Sequence, residues 1–131
     1  MLPGSHGRYE LKFLPDFFND PDRRGYLIRS GDQPVGFALV RGLLEPPFMM
    51  SEFFIIRPMR RVGAGSIAAD LVITAHPGAW EIPFQMENIG AAPFWRRVAQ
   101  SRAPNNWSEE RRPVPDKPGI PPDVWISFTC K

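Results

Sequence analysis

The chain has 131 residues, 43% of them hydrophobic and 23% charged, with a formal net charge of +2 at pH 7. That length suits one domain built on a single core. The charge is too small to argue for nucleic acid, Arg and Lys form no stripe interleaved with aromatics, and no apolar run approaches the roughly twenty residues that span a bilayer.

Along the chain, residues 9–22 carry Leu11, Phe13, Leu14, Phe17 and Phe18 around Pro15, and read as a short helix or packed irregular segment ending in the turn Asn19-Asp20-Pro21-Asp22. Residues 26–29 and 35–40 read as two strands of a hairpin punctuated by Gly31 and Pro34. A third strand is expected over 48–56. A helix follows over 67–75, and Ala64, Ala68, Leu71 and Ala75, at spacings of four, three and four, give it one apolar face. Next come a strand over 80–85, a helix over 89–100, a strand over 107–112, a proline-rich connection over 113–122 and a last strand over 124–129. His76 closes the first helix before Pro77-Gly78, where a cation suits the C-terminal dipole. The single cysteine, Cys130, can form no internal disulfide, and with only His6 and His76 to join it no metal-ligand spacing occurs. The N-terminus lacks the charged-then-apolar pattern of a signal peptide, so a cytoplasmic location is expected.

The chemistry concentrates in Arg60-Arg61-Val62-Gly63-Ala64-Gly65-Ser66, which follows the apolar run Phe53-Phe54-Ile55-Ile56 and opens a helix. A strand that turns through arginines and glycines into a helix leaves backbone N–H groups unpaired at the positive end of the macrodipole, which makes an anion cradle. The glycines admit close approach of the anion, and the arginines add formal charge suited to a diphosphate. Gly63-Ala64-Gly65-Ser66-Ile67-Ala68 also fits an Ala-ending dinucleotide fingerprint, with Glu87 about twenty residues on. The stretch Arg57-Pro58-Met59-Arg60-Arg61, which keeps the apolar strand ending at Ile56 away from Gly63, and the short chain beyond the motif argue against a dinucleotide fold. No Gly-Lys-Ser or Gly-Lys-Thr occurs, which excludes a Walker loop. A capped helix after a basic loop with no ligand is the bland alternative.

Arg60-x-x-Gly63-x-Gly65 resembles the acyl-CoA pyrophosphate loop of the GNAT superfamily of N-acetyltransferases, and Asn88-Ile89-Gly90-Ala91-Ala92-Pro93-Phe94-Trp95 resembles that superfamily's second signature, at the helix after the fifth strand. The two blocks stand in the right order and separation, and the resemblance covers about residues 36–98. Ser51-Glu52-Phe53-Phe54 and Phe94-Trp95-Arg96-Arg97 resemble a little-characterised bacterial branch.

The resemblance implies a single α/β (α+β) domain over residues 1–131, with a mixed, mostly antiparallel sheet, helices on both faces, and fourth and fifth strands that splay to admit a pantetheine arm. It implies acetyl-CoA as cosubstrate and a primary amine as acceptor. Too few residues precede Tyr26 for the usual strand and two helices, so the first strand and first helix are expected to be missing, and a homodimer is expected to cover the surface this leaves. By the same resemblance Val62, Gly63, Ala64, Gly65 and Ser66 hold the pyrophosphate, Arg60 and Arg61 add charge, Phe54, Ile55 and Ile56 pair with the pantetheine amides, Asn88 hydrogen-bonds the arm, and Trp95 packs beside it. Glu52, which interrupts an apolar strand, is the leading base, against a reading as an outward surface carboxylate; Glu81 and Glu87 are weaker candidates. Trp95 stands where many relatives carry a tyrosine acid, and indole has no ionisable proton in the useful range. That departure keeps open a non-catalytic acyl-CoA-binding module.

Overall fold

A computed structural model describes residues 9–15, 19–60 and 63–130. The elements are β1 (Tyr9–Leu14), β2 (Arg23–Ser30), β3 (Gln33–Arg41), β4 (Phe48–Ile55), α1 (Arg57–Arg60), α2 (Ala64–Ala75), β5 (Gly78–Phe84), α3 (Ala91–Arg102), β6 (Trp107–Arg112) and β7 (Asp123–Cys130). One seven-stranded sheet runs in the order β1-β2-β3-β4-β5-β7-β6. Every pairing is antiparallel except β4 with β5.

The segment expected as helix or irregular structure is instead a strand. Leu11 and Phe13 alternate with Glu10 and Lys12, and β1 pairs antiparallel with β2 from Tyr9↔Ser30 to Leu14↔Gly25. The chain therefore does carry a strand ahead of β2, at the edge of the sheet. Asp22 pins the entry to β2 against the loop after β3: its carboxylate accepts from the N–H groups of Leu44 and Gly42 at 3.0 and 3.3 Å. The hydrogen bond from Leu44 in particular holds the Asp22 pKa below the usual carboxylate value.

Strand register assigns the two faces of the sheet. Tyr26, Ala38 and Phe53 align across β2, β3 and β4, and Trp80 with Phe128 and Ile82 with Ile126 across β5 and β7. These residues, most of them buried, form the core face. Both long helices pack there: Phe53 touches Phe94 and Trp95 of α3, His76 at the end of α2 bonds Tyr26, and Arg102 of α3 donates to Asp70 of α2 at 2.7 Å. The opposite face carries Leu27, Phe37, Leu39, Glu52, Phe54, Glu81 and Trp125.

The buried stripe of α2 is Ala64, Ala68, Ala69, Val72 and Ile73, while Leu71 is only half-buried and Ala75 is exposed. Three alanines at full burial bring the helix axis close to the sheet. α2 begins at Ala64 and α3 at Ala91, where the Asn88 carbonyl accepts the Ala91 N–H and leaves Ile89 86% exposed in the turn. His76 is a corrected case. It is buried among Tyr26, Phe48 and Trp80, its Nε2 lies 2.7 Å from the Tyr26 hydroxyl, and burial followed by the Arg24 charge lowers its pKa. It is a neutral core histidine and not a cation on the helix dipole. No helix among the described residues is long and apolar enough to cross a membrane.

Candidate cofactor and acyl-transfer site

β4 and β5 hydrogen-bond only at their beginnings, Phe48↔Trp80 and Met49↔Glu81. Past those pairs β4 stays with β3 while β5 stays with β7, so the two parallel strands part and leave an unpaired edge on each. Phe53 wedges the opening from the core side, with ring centroids 5.2 Å from Trp95 and 5.9 Å from Phe94. The result is a cleft of about 480 Å³ at the C-terminal ends of the two strands.

Six residues singled out from the sequence converge on this cleft: Phe54, Ile55, Arg60, Gly65, Asn88 and Trp95. Phe53, Gly90, Phe94 and Arg97 line it as well. A period-two reading puts Phe53 and Phe54 on opposite faces, yet both reach the cleft because an unpaired strand edge exposes its two faces at once. Phe94 stands beside Trp95 in the second sequence block, which was the available signal for it. Arg96 and Arg97 are indistinguishable in sequence; in the fold Arg96 is spent on both carboxylate oxygens of Glu109, at 2.7 and 2.8 Å, and Arg97 borders the cleft.

The remaining expected residues divide. Gly63 caps α2 in the left-handed region at φ 79°, with no side-chain hydrogen bond to the first-turn N–H groups. That conformation suits glycine, and the uncapped turn is a ready anion site. Ala64 is fully buried against the sheet, so only its backbone can serve a ligand. Ser66 faces an adjoining groove of about 350 Å³ between α2 and α3, shared with Asp70, Arg97 and Ser101. Ile56 sends its N–H to the Val35 carbonyl at 2.9 Å and is committed to the β3 side. Arg61 and Val62 lie outside the described residues. Gly65 has a packing duty: a Cβ there would stand 3.2 Å from the Phe94 ring. Arg60 has a structural one, since its Nε donates to the Ile55 carbonyl at 2.8 Å and its guanidinium lies 5.4 Å from the Phe54 ring.

On the open sheet face Glu52 is exposed, and its carboxylate makes no hydrogen bond or ion pair with any described residue. Glu81, across the parting strands, is held by Arg112 at 2.8 Å, and that guanidinium also stacks over Trp125 at 4.4 Å. Residues 113–122 join β6 to β7 at the end of the sheet where the gap opens, because Val124 pairs with Phe84.

No model of a known protein family matches the sequence, and neither does any curated protein. Solved structures do match. An acetyltransferase from Thermus thermophilus superposes with a TM-score of 0.64 at 20% identity, over 85% of this chain and 66% of that protein. A Bacillus subtilis acetyltransferase in complex with CoA superposes with a TM-score of 0.64 at 10% identity, over 95% of this chain and 99% of the other. The chain has the GNAT fold. A GNAT family acetyltransferase from Elizabethkingia anophelis with acetyl-CoA bound extends the likeness, with a TM-score of 0.62 at 8% identity over 94% of this chain and 99% of its own. The GNAT sheet accounts for a cleft assembled from three separated stretches of chain, the end of β4, the start of α2 and the start of α3. This chain spans 66% of the Thermus protein's length.

Proposed function

We propose that this protein is an acyl-CoA-dependent N-acetyltransferase that passes acetyl from acetyl-CoA to a primary amine. The observation that carries the reading is the convergence, in one cleft, of a parted β4–β5 pair with the uncapped N-terminus of α2. An uncapped first turn accepts a diphosphate, and an unpaired strand edge accepts an extended amide-bearing arm as an added strand. Acetyl-CoA supplies both groups and, at its end, an activated thioester. The Gly63 cap and the N–H groups that follow it take the diphosphate. Arg60 lines the same cleft and keeps terminal N–H donors beyond the Nε spent on Ile55. Asn88 holds the arm, Trp95 and Phe53 form its apolar wall, and Arg97, which borders both the cleft and the α2–α3 groove, takes a further phosphate. A homodimer belongs to this proposal, and sedimentation of the purified chain tests it directly.

Glu52 serves as the proton acceptor. It is exposed on β4 past the last β4–β5 pair, and its carboxylate is unspent on any described residue, whereas Glu81 is tied to Arg112. The acceptor's ammonium gives a proton to Glu52, directly or through one water. Its nitrogen then bonds to the acyl carbon as the C–S bond breaks, leaving the electron pair on sulfur. The second nitrogen proton passes to solvent, and the departing thiolate takes a proton from water, since Trp95 has none to give. N–H groups on the free edge of β4 polarise the carbonyl.

The Trp95 indole also favours a second reading, a module that binds acyl-CoA without turnover. Calorimetric titration of CoA, followed by release of CoA thiol from acetyl-CoA in a mixed pool of amines, separates the two. Binding with release supports the enzyme; binding without release supports the module; absence of binding removes both.

A further inference from the structure

Beside Glu52, on the β3 side of the open face, lies a cleft of about 230 Å³ whose polar side chains are those of Arg23, Arg41, Ser51 and Glu52. A register shift between Leu39 and Val40 shapes it: Leu39 pairs with Glu52 and Val40 with Met50, so Ser51 is the extra residue of a bulge. The Ser51 hydroxyl donates to the Leu39 carbonyl at 3.2 Å and anchors that distortion. Bulges re-aim side chains beside functional sites.

The charges in this cleft are complementary, and those of Arg41 and Glu52 are not committed to each other. Glu52 makes no ion pair with a described residue, as noted above. Arg41 has no salt bridge among the described residues either. Its charge acts on Asp22, whose carboxylate oxygens already accept from the Gly42 and Leu44 N–H groups. Arg23 lies 3.4 Å from Asp20. Arg41 and Glu52 both line this cleft and are set apart diagonally across the bulge between β3 and β4. Two long side chains of opposite charge so placed, not closed on each other, can clasp the two ends of one small zwitterion. A volume below the ~300 Å³ at which drug-sized pockets begin also limits the occupant to a small molecule.

We infer that the acceptor is a small aminocarboxylate, bound with its amine at Glu52 and its carboxylate on Arg41. This rests on the acyl-transfer reading above. Arg41 is then a specificity residue: its planar donors match a carboxylate in two-point contact, and it holds the nitrogen at the mouth of the gap.

The test pairs each of several α- and β-amino acids with its carboxamide, using the full chain and two readouts. Kinetics measures CoA release from acetyl-CoA, and calorimetry measures binding of the same compounds to the chain with and without CoA. The expected result is a kcat/KM at least about tenfold higher for the acid than for its amide, from a charge-assisted bond that the amide cannot make. Arg41→Gln should bring that ratio close to one with CoA affinity unchanged, and Arg41→Lys should restore part of it by charge alone. Equal kcat/KM for acids and amides in the parent overturns the inference, and so does a preference that survives Arg41→Gln. If acetyl transfer fails altogether, calorimetric preference for acids that Arg41→Gln abolishes still supports the subsite, while lack of preference removes it independently of the catalytic reading.

Discussion

Replacing Gly63 by alanine should uncouple stability from cofactor affinity in a measurable way. Gly63 sits at φ 79°, and a Cβ built there meets nothing within 4 Å. The stability cost is therefore conformational and not steric: an L-residue held in the left-handed region costs about 1–2 kcal/mol, with no packing term to add. For a chain of this size that corresponds to a fall of roughly 3–7 °C in Tm. The new methyl projects into open space at the N-cap, where the diphosphate approaches the first-turn N–H groups, so CoA affinity should fall at least about tenfold, or ~1.4 kcal/mol. Gly63→Asn should recover much of the stability, because asparagine tolerates this region, but little of the affinity. Gly65 is the less clean site. There a Cβ would press on Phe94 at 3.2 Å, and Phe94 lines the cleft, so packing and binding would change together. Thermal melts and CoA titrations of the two Gly63 variants suffice. Parental CoA affinity in a folded Gly63→Ala protein would refute the placement of the diphosphate at this helix terminus.

Glu52→Gln should lower kcat by about a hundredfold or more at unchanged CoA affinity, since the amide keeps the shape and loses the basic site; near-parental turnover would return Glu52 to a surface carboxylate. Arg97→Gln should weaken CoA more than 3′-dephospho-CoA, and equal losses for the two would mean that Arg97 contacts no such phosphate. His76 has a pKa lowered in the folded state from 6.5, so the unfolded chain binds the extra proton first. Stability is full above about pH 6.5 and declines as pH falls below it toward the folded value. The parent's urea midpoint should drop across that window and that of His76→Gln should drop less; parallel curves would show that another group drives the change.

Elements with strong local signatures are legible in the sequence. Short apolar runs bounded by turn residues mark β2, β3, β5 and β7, and the glycine-arginine turn marks the start of α2, because these patterns depend on near neighbours alone. The two blocks around Gly63 and Asn88 likewise named most of the cleft, since each is a contiguous loop leading into a helix. β1 was missed because six residues beside Pro15 carry too little periodicity to outweigh a proline, and its strand state comes from pairing with β2, a contact across a chain reversal. Periodicity misjudged the buried stripe of α2, because which arc of a helix faces inward depends on the sheet beneath it. Only the tertiary structure separated Arg97 from Arg96, through Glu109 on β6, and Glu52 from Glu81, through Arg112 on the same strand as Glu109. It alone set Arg41 diagonally across from Glu52, since the register between β3 and β4 depends on a bulge that no local pattern announces. Charges and side-chain pairings distant in sequence are fixed by strand order and register, and those are properties of the assembled sheet.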